Sequence, residues 1–294
     1  MKRLERRKRR SMEKYQDAAL SPRERAEDLL EKMTLKEKVG QLNQRLYGFR
    51  IYERDGENVT FTEEFREEVE KMGGLGVLYG FYRADPWADK DENTGITTGL
   101  SGKAYNALQK YVLDHSRLGI PVMMSSECPH GHQALGGGLL PVNLAAGATF
   151  DPEALKEGYE ACGRQLKSGH VELALMSALD VLRDPRWGRS EECYSEDPYL
   201  SSRMAAAAVT GMQSEGVSCV AKHFCGQGET TGGVNASAAR IGEQELREIH
   251  FPAMQACCDA GVDGVMAAYN EIDGVYCHGN PWLLRDVLRE EMGF

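Results

Sequence analysis

Apolar residues along this 294-residue chain fall into two kinds of segment that alternate. In the first kind they recur at helical spacing among charges. In "TLKEKVGQL", Leu35, Val39 and Leu42 share one face, and Thr34 with Glu37 forms a capping box. Ser21-Pro22 opens an earlier helix. Thr62 starts "EEFREEVEKM", which Gly73-Gly74 stops, and Ser101 precedes a helix running to about Arg117, before Gly119. Asp151-Pro152, Asp197-Pro198 and Asn280-Pro281 each place a cap residue before a proline at the first helical position. Gly169, Gly216 and Gly293 mark the matching ends. A further helix covers 243–260, with Pro252 inside it as a kink.

The second kind of segment is short, apolar and nearly free of charge. "LGVLYG" (75–80), "IPVMMSSE" (120–127), "LALMSALDVL" (173–182), "VSCVAKHF" (217–224) and "GVDGVMAAYN" (261–270) read as strands buried on both faces. Alternation of such strands with helices predicts an α/β fold with a parallel sheet. A doubly wound dinucleotide fold needs G-x-G-x-x-G directly after an early strand, and here the glycines of "KMGGLGVLYG" precede the strand. Polar residues gather instead at the C-terminal ends of several strands: Ser125-Ser126-Glu127, Asp180, Lys222-His223 and Tyr269-Asn270. That pattern predicts a (β/α)8 TIM-type barrel.

Composition adds little to the fold and something to partners. Hydrophobic residues make up 41% and charged residues 27%, ordinary values for a globular domain. No apolar run reaches membrane-span length. The opening "MKRLERRKRRSMEKYQ" is basic but has no apolar stretch behind it, so it is not a secretory signal. The expectation is a cytoplasmic protein whose eight cysteines are free, mostly buried thiols. Residues 1–14 read as a disordered leader and residues 15–294 as one barrel domain. The net charge of −10 argues against nucleic acid as a partner.

Candidate chemistry lies at the strand ends. "DVLRDPRWGRSEECYSEDPYL" (180–200) carries Arg183, Arg186, Arg189, Glu191, Glu192, Glu196 and Asp197. Arginine and carboxylate forks suit vicinal hydroxyls, and Trp187 offers a flat face for a sugar. The competing reading is a structural loop tied by ion pairs. Lys222 and His223 end a strand, where alternation sends them to opposite faces unless the strand breaks. The glycines of 226–233 lack the G-K-[ST] of a phosphate loop. Glu127, His130 and His132 lie close together but match no recognised zinc spacing, so no metal or other cofactor is expected. Tyr269 can donate to a carboxylate or simply pack.

Taken in order, E-x-P-H-G, D-P-R-W-G-R-x-E-x-x-x-x-E-D-P-Y-L, K-H-F-x-G, A-Y-N-x-x-x-G and W-L-L-x-D-V-L-R-x-E-x-G-F resemble glycoside hydrolase family 3. "SPRERAEDLLEKMTLKEKVGQL" is similar to that family's usual start, so the likeness runs from about Tyr15 to Phe294. It implies a (β/α)8-type N-terminal domain of an exo-acting, retaining β-glycosidase, with a β-glycoside or oligosaccharide as partner. The sugar-binding residues it implies are Glu127, Arg189, Lys222, His223 and Tyr269. The family's β-glucosidases usually have Asp where Glu127 stands, and a Glu there resembles the β-xylosidase branch. "KHFCGQGETTGGVNASAAR" lacks the Asp-Ser-His triplet of the N-acetylglucosaminidase branch.

The resemblance puts the nucleophilic Asp shortly beyond Phe294 and the acid/base in a following domain. No catalytic residue is therefore expected within this chain, and the barrel is expected to be incomplete, with its last units missing and unpaired strand edges that promote aggregation. The expectation is an N-terminal part of a β-glucosidase or β-xylosidase, inactive alone, whose missing part lies in the same or a second chain. The alternatives are a carbohydrate-binding pseudoenzyme or one half of a split enzyme.

Overall fold

The computed structural model describes residues 13–294. Most of the basic leader, residues 1–12, lies outside the described residues. The first helices are α1 (Pro22–Lys32) and α2 (Leu35–Gln41), and both carry complete capping boxes, from Ser21 with Glu24 and from Thr34 with Glu37. Then comes an antiparallel hairpin, β1 (Tyr52–Asp55) and β2 (Asn58–Phe61), turning at Gly56 with φ +58°. Its sequence, "YERDGENVTF", is half polar, so it lacks the apolar run that marks the main strands.

Five β/α steps follow. They begin with α3 (Glu63–Met72) and β3 (Val77–Tyr79), then α4 (Thr98–Asp114) and β4 (Met123–Glu127). Next are α5 (Asn143–Gly147), α6 (Pro152–Ser168), β5 (Leu173–Ser177), α7 (Pro198–Ser214) and β6 (Ser218–Phe224). The order β3-β4-β5-β6-β7 equals chain order, and every pairing is parallel. This is the right-handed winding of a barrel wall, curled with helices outside. The strand β7 is Gly264–Ala267, and a short hairpin of β8 (Glu271–Ile272) and β9 (Val275–Tyr276) follows it, turning at Asp273-Gly274 with both φ positive.

Three sequence expectations are corrected here. The fourth helix starts at Thr98 rather than after Ser101, and it ends at Asp114. The helix over 243–260 is composite: α8 (Glu243–Glu245), a π-helical turn Leu246–His250, and α9 (Phe251–Asp259) with Pro252 in its first turn. The wider turn accommodates a proline that has no N–H to give and would clash with the carbonyl four residues back. Not every strand is buried on both faces, since all four residues of β7 are half-buried. It is one of the two outer strands of the five, with a neighbour on one side only among the described residues.

The core lies between sheet and helices. Ala174, Met176, Cys219 and Ala221 from the strands meet Leu166, Met204, Ala208, Val209 and Met254 from the helices, all with negligible exposure. Seven of the eight free cysteines are buried here or near it. They act as small apolar residues.

Candidate functional site

At the C-terminal ends of β3 to β7 lies a cavity of about 650 Å³. The sequence puts a charged or polar residue at each strand terminus, and the parallel register brings them to one pole. Four of the five sequence-predicted residues, Glu127, Arg189, Lys222 and Tyr269, line it. The fifth, His223, is buried beneath and reaches the cavity through Arg189, whose guanidinium sits 3.2 Å from the imidazole Nε2.

Lys222 and His223 escape the alternation rule through a β-bulge. Lys222 pairs with Met266 on β7 and Phe224 with Ala267, which leaves His223 unpaired. The two adjacent side chains then serve two different carboxylates. Lys222 Nζ donates to Glu127 Oε2 at 2.6 Å, and His223 Nδ1 is 2.7 Å from Asp180 Oδ2. Asp180 also accepts from the backbone N–H of His223 at 3.3 Å. The turn after β5 is fastened to the same place, because Ala178 and Leu179 N–H both donate to the Lys222 carbonyl.

Arg189 completes the wall. Its Nε donates to Glu192 Oε1 at 2.6 Å and its Nη2 to Oε2 at 2.7 Å, a bidentate fork. Burial by itself would raise the Glu192 carboxyl, but the guanidinium, helped by Lys222 and by a hydrogen bond from Ser177, brings it down to about 2. Arg189 in turn is held more firmly protonated than usual, Glu192 outweighing the burial that opposes it. Asn143, also buried, ties the Ser177 and Glu192 carbonyls together at 2.7 and 2.8 Å.

The opposite rim comes from the segment after β3, which the sequence reading missed. Tyr79 donates to Glu127 Oε1 at 2.9 Å, so both oxygens of Glu127 are engaged. Burial and the neighbouring Glu127 charge push the Tyr79 phenol well up. Arg83 donates to the Tyr79 hydroxyl and, from Nε, to Asp85 at 2.8 Å, and its guanidinium lies 4.5 Å from the Trp87 ring centre. Trp87 is 49% exposed and lines the cavity. Its signal is visible in "YGFYRADPW", which follows an apolar strand with aromatics, a cation and an Asp-Pro turn.

The loop 180–200 lends Arg189, Glu191 and Glu192 to the cavity and ties its other arginines in ion pairs. Arg186 forks onto Asp184, and Arg183 is 3.5 Å from Glu229, so these arginines are structural. Trp187 is a correction: it is 1% exposed, with its indole N–H donating to Asn235 at 3.0 Å, and it offers no face to a ligand. The glycines after β6 permit close approach. A Cβ on Gly228 would sit 2.4 Å from the Val181 carbonyl, and Gly226 has φ +74°. Gln227 then fixes Tyr269, accepting from its N–H at 3.1 Å. Among the described residues no group of His, Cys, Asp and Glu is arranged to hold a metal ion. No helix there is long and apolar enough to cross a membrane.

Known proteins are similar to this chain over most of its length. The family model described as the glycosyl hydrolase family 3 N terminal domain matches residues 34–294. A protein named putative beta-xylosidase from Formosa agariphila is 33% identical over 291 residues, covering 95% of this chain and 36% of its own length. The periplasmic beta-glucosidase of Salmonella typhimurium is 30% identical over 91% of this chain and 32% of its own. Among solved structures, a β-glucosidase from Erythrobacter marinus superposes with a TM-score of 0.79 at 32% identity, covering 96% of this chain and 36% of that one. A Listeria innocua β-glucosidase mutant in complex with laminaribiose gives 0.76 at 29% identity, with 93% and 36% covered. The chain thus spans about a third of the length of these relatives. With five parallel strands in order, a polar pole at their C-terminal ends and this match over nearly its whole length, the chain belongs to glycoside hydrolase family 3, through that family's N-terminal domain.

Proposed function

We propose that the cavity holds the terminal sugar of a β-linked glycoside, and that this chain is the N-terminal part of an exo-acting, retaining β-glycosidase for terminal glucose or xylose. The observation that carries the reading is the convergence of Lys222, Glu127, Arg189 and Glu192 on one cavity in two tight ion pairs, beside Tyr269. A pyranose presents adjacent hydroxyls, each both donor and acceptor. Cation and carboxylate held side by side match such a pair, one group donating and the other accepting. The relatives named above as β-glucosidase and β-xylosidase support the sugar class.

Retaining hydrolysis needs two carboxyl groups about 5–5.5 Å apart, one nucleophile and one acid/base. Four carboxylates line the cavity; Glu191 is one carboxyl where two are needed, and Glu127, Glu192 and Asp85 are each engaged by a cation. That suits fixed acceptors and weakens them as nucleophiles. The reading therefore assigns both catalytic carboxyls to the remainder of the enzyme, in the same or a second chain, and gives this chain the task of binding and orienting the sugar. Glu127 extends one methylene farther than an aspartate would, and both its oxygens are pinned. We read it as crowding a hexose CH2OH and favouring xylosides.

Calorimetric titration with glucose and xylose tests the binding role. Measurable affinity that disappears in Arg189→Ala and Lys222→Ala is expected. Affinity unchanged in both variants would refute it. Nitrophenol release from aryl β-glucosides or β-xylosides should stay at background with the chain alone. Release abolished by the same two substitutions would overturn that assignment.

A further inference from the structure

A second cavity, of about 360 Å³, opens on the far side of the loop that follows β4. The loop is a shared wall. His130 and Gln133 line the first cavity, while His132 and Ala134 line the second. The floor of the second is buried, formed by Tyr82, Ile96 and His132 at 4%, 2% and 7% exposure. Its rim is open and carries Thr98, Ser101, Gln165 and Ser168.

Two features set this hollow apart from a packing defect. The Tyr82 hydroxyl and His132 Nε2 are both buried, and neither has a hydrogen-bond partner among the described residues. A buried polar atom left unpaired costs about 1–3 kcal/mol, and here two belong to residues that floor one cavity. The lining also has no charged side chain. Burial pushes the His132 imidazole down to about 4, so it is neutral at physiological pH and can donate or accept. Hydroxyls of Thr97, Thr98, Ser101 and Ser168 and the Gln165 amide surround an apolar floor of Ile96, Leu135 and the Tyr82 ring. An anion would meet no cation here. A compact molecule with several hydroxyls and one apolar face would bond the rim hydroxyls and the Gln165 amide and cover the floor, and the volume is near the lower end for small-ligand pockets.

We propose that this second cavity is a binding site for a neutral, polyhydroxylated molecule of monosaccharide size, separated from the first site by the segment from His130 to Ala134. It is distinct from the cavity at the strand ends and shares none of its lining residues.

The test uses the whole chain with its histidines labelled at Cε1 with carbon-13, the His132 resonance being assigned by its loss in His132→Gln. Xylose, glucose and, as an anion control, sulfate are titrated separately. A saturable shift of the His132 resonance with a sugar is expected, with Kd on the order of 1 mM or tighter. The shift should persist in Lys222→Ala, which disables the first site, and vanish in Ser101→Trp or Ser168→Trp, which fill the second from its rim. Two rim variants are used so that one that fails to melt cooperatively can be set aside for the other. No shift with either sugar overturns the proposal, as does a shift lost in Lys222→Ala, or in Arg189→Ala where the first does not melt cooperatively, which would be relayed from the first cavity. A response to sulfate alone overturns the ligand class.

Discussion

The two walls of the main cavity are built on different physics. On the side of β5 and β6, Lys222, His223 and Asp180 are at most 5% exposed, and each charge or ring is bonded to a neighbour from another strand or loop. On the β3 side, Trp87 is 49% exposed and Tyr47 43%, with Arg83 lying across the Trp87 ring. The first wall is rigid because any movement would strand a buried charge. The second is an aromatic surface with a covering cation, open to solvent at Trp87 and fastened only at its base, where Arg83 meets Asp85 and Tyr79. The pairing suits a ligand that must be held by hydroxyls at one end and merely faced at the other.

That contrast is broken most severely at Lys222. Lys222→Ala leaves Glu127 only the more distant Arg83, at 3.9 Å, as a cation, and loss of one partner from a buried pair costs about 3–5 kcal/mol. Urea denaturation should show it, and Lys222→Met with Glu127→Gln should recover a good part. Glu192 comes next. Its folded carboxyl lies at about 2, below the ordinary 4.5, so its stabilisation is fully present above 4.5 and is lost as pH falls toward 2. A stability profile across that window should be steeper for the parent chain than for Glu192→Gln. Asp180→Asn removes the charged acceptor from His223 and should cost about 1–3 kcal/mol, read by thermal melting. It should also free the Arg189 side of the cavity and weaken sugar binding.

Substitution on the aromatic wall should matter least to folding. Trp87→Ala loses an exposed cation–π contact worth about 0.5–1 kcal/mol. A larger loss would mean that this wall is as rigid as the other. Glu127→Asp sharpens the comparison without breaking it. It retracts the carboxylate from the cavity, and the ratio of glucose to xylose affinity should rise. An unchanged ratio would remove Glu127 from any part in selecting the sugar.

The buried wall was the legible one. Buried strands betray themselves as apolar runs, and all five were placed that way although β7 is only half-buried, with Asp-Pro caps at Asp151 and Asp197 bounding the helices between them. The exposed features were harder. The hairpin over Tyr52–Phe61 mixes charges with apolar residues and gives no run to find. Tryptophan type alone does not reveal exposure, so Trp187 looked like a sugar platform although it is core, while Trp87 went unremarked. Alternation sends adjacent Lys222 and His223 to opposite faces unless the strand breaks, and a bulge is not written in residue type. Asp180 was noted at a strand end, but its partnership with His223 depends on a turn that only the fold brings round.

The bulge in β6 has a mechanical meaning. Lys222 is fastened to β4 through Glu127, and its neighbour His223 to the turn after β5 through Asp180. Sliding β6 by a single residue against β4 and β5 would tear both fastenings together. The polar pole of the sheet therefore acts as a clamp against shear, and β6 should be the last strand to slip when the sheet is pulled along its length.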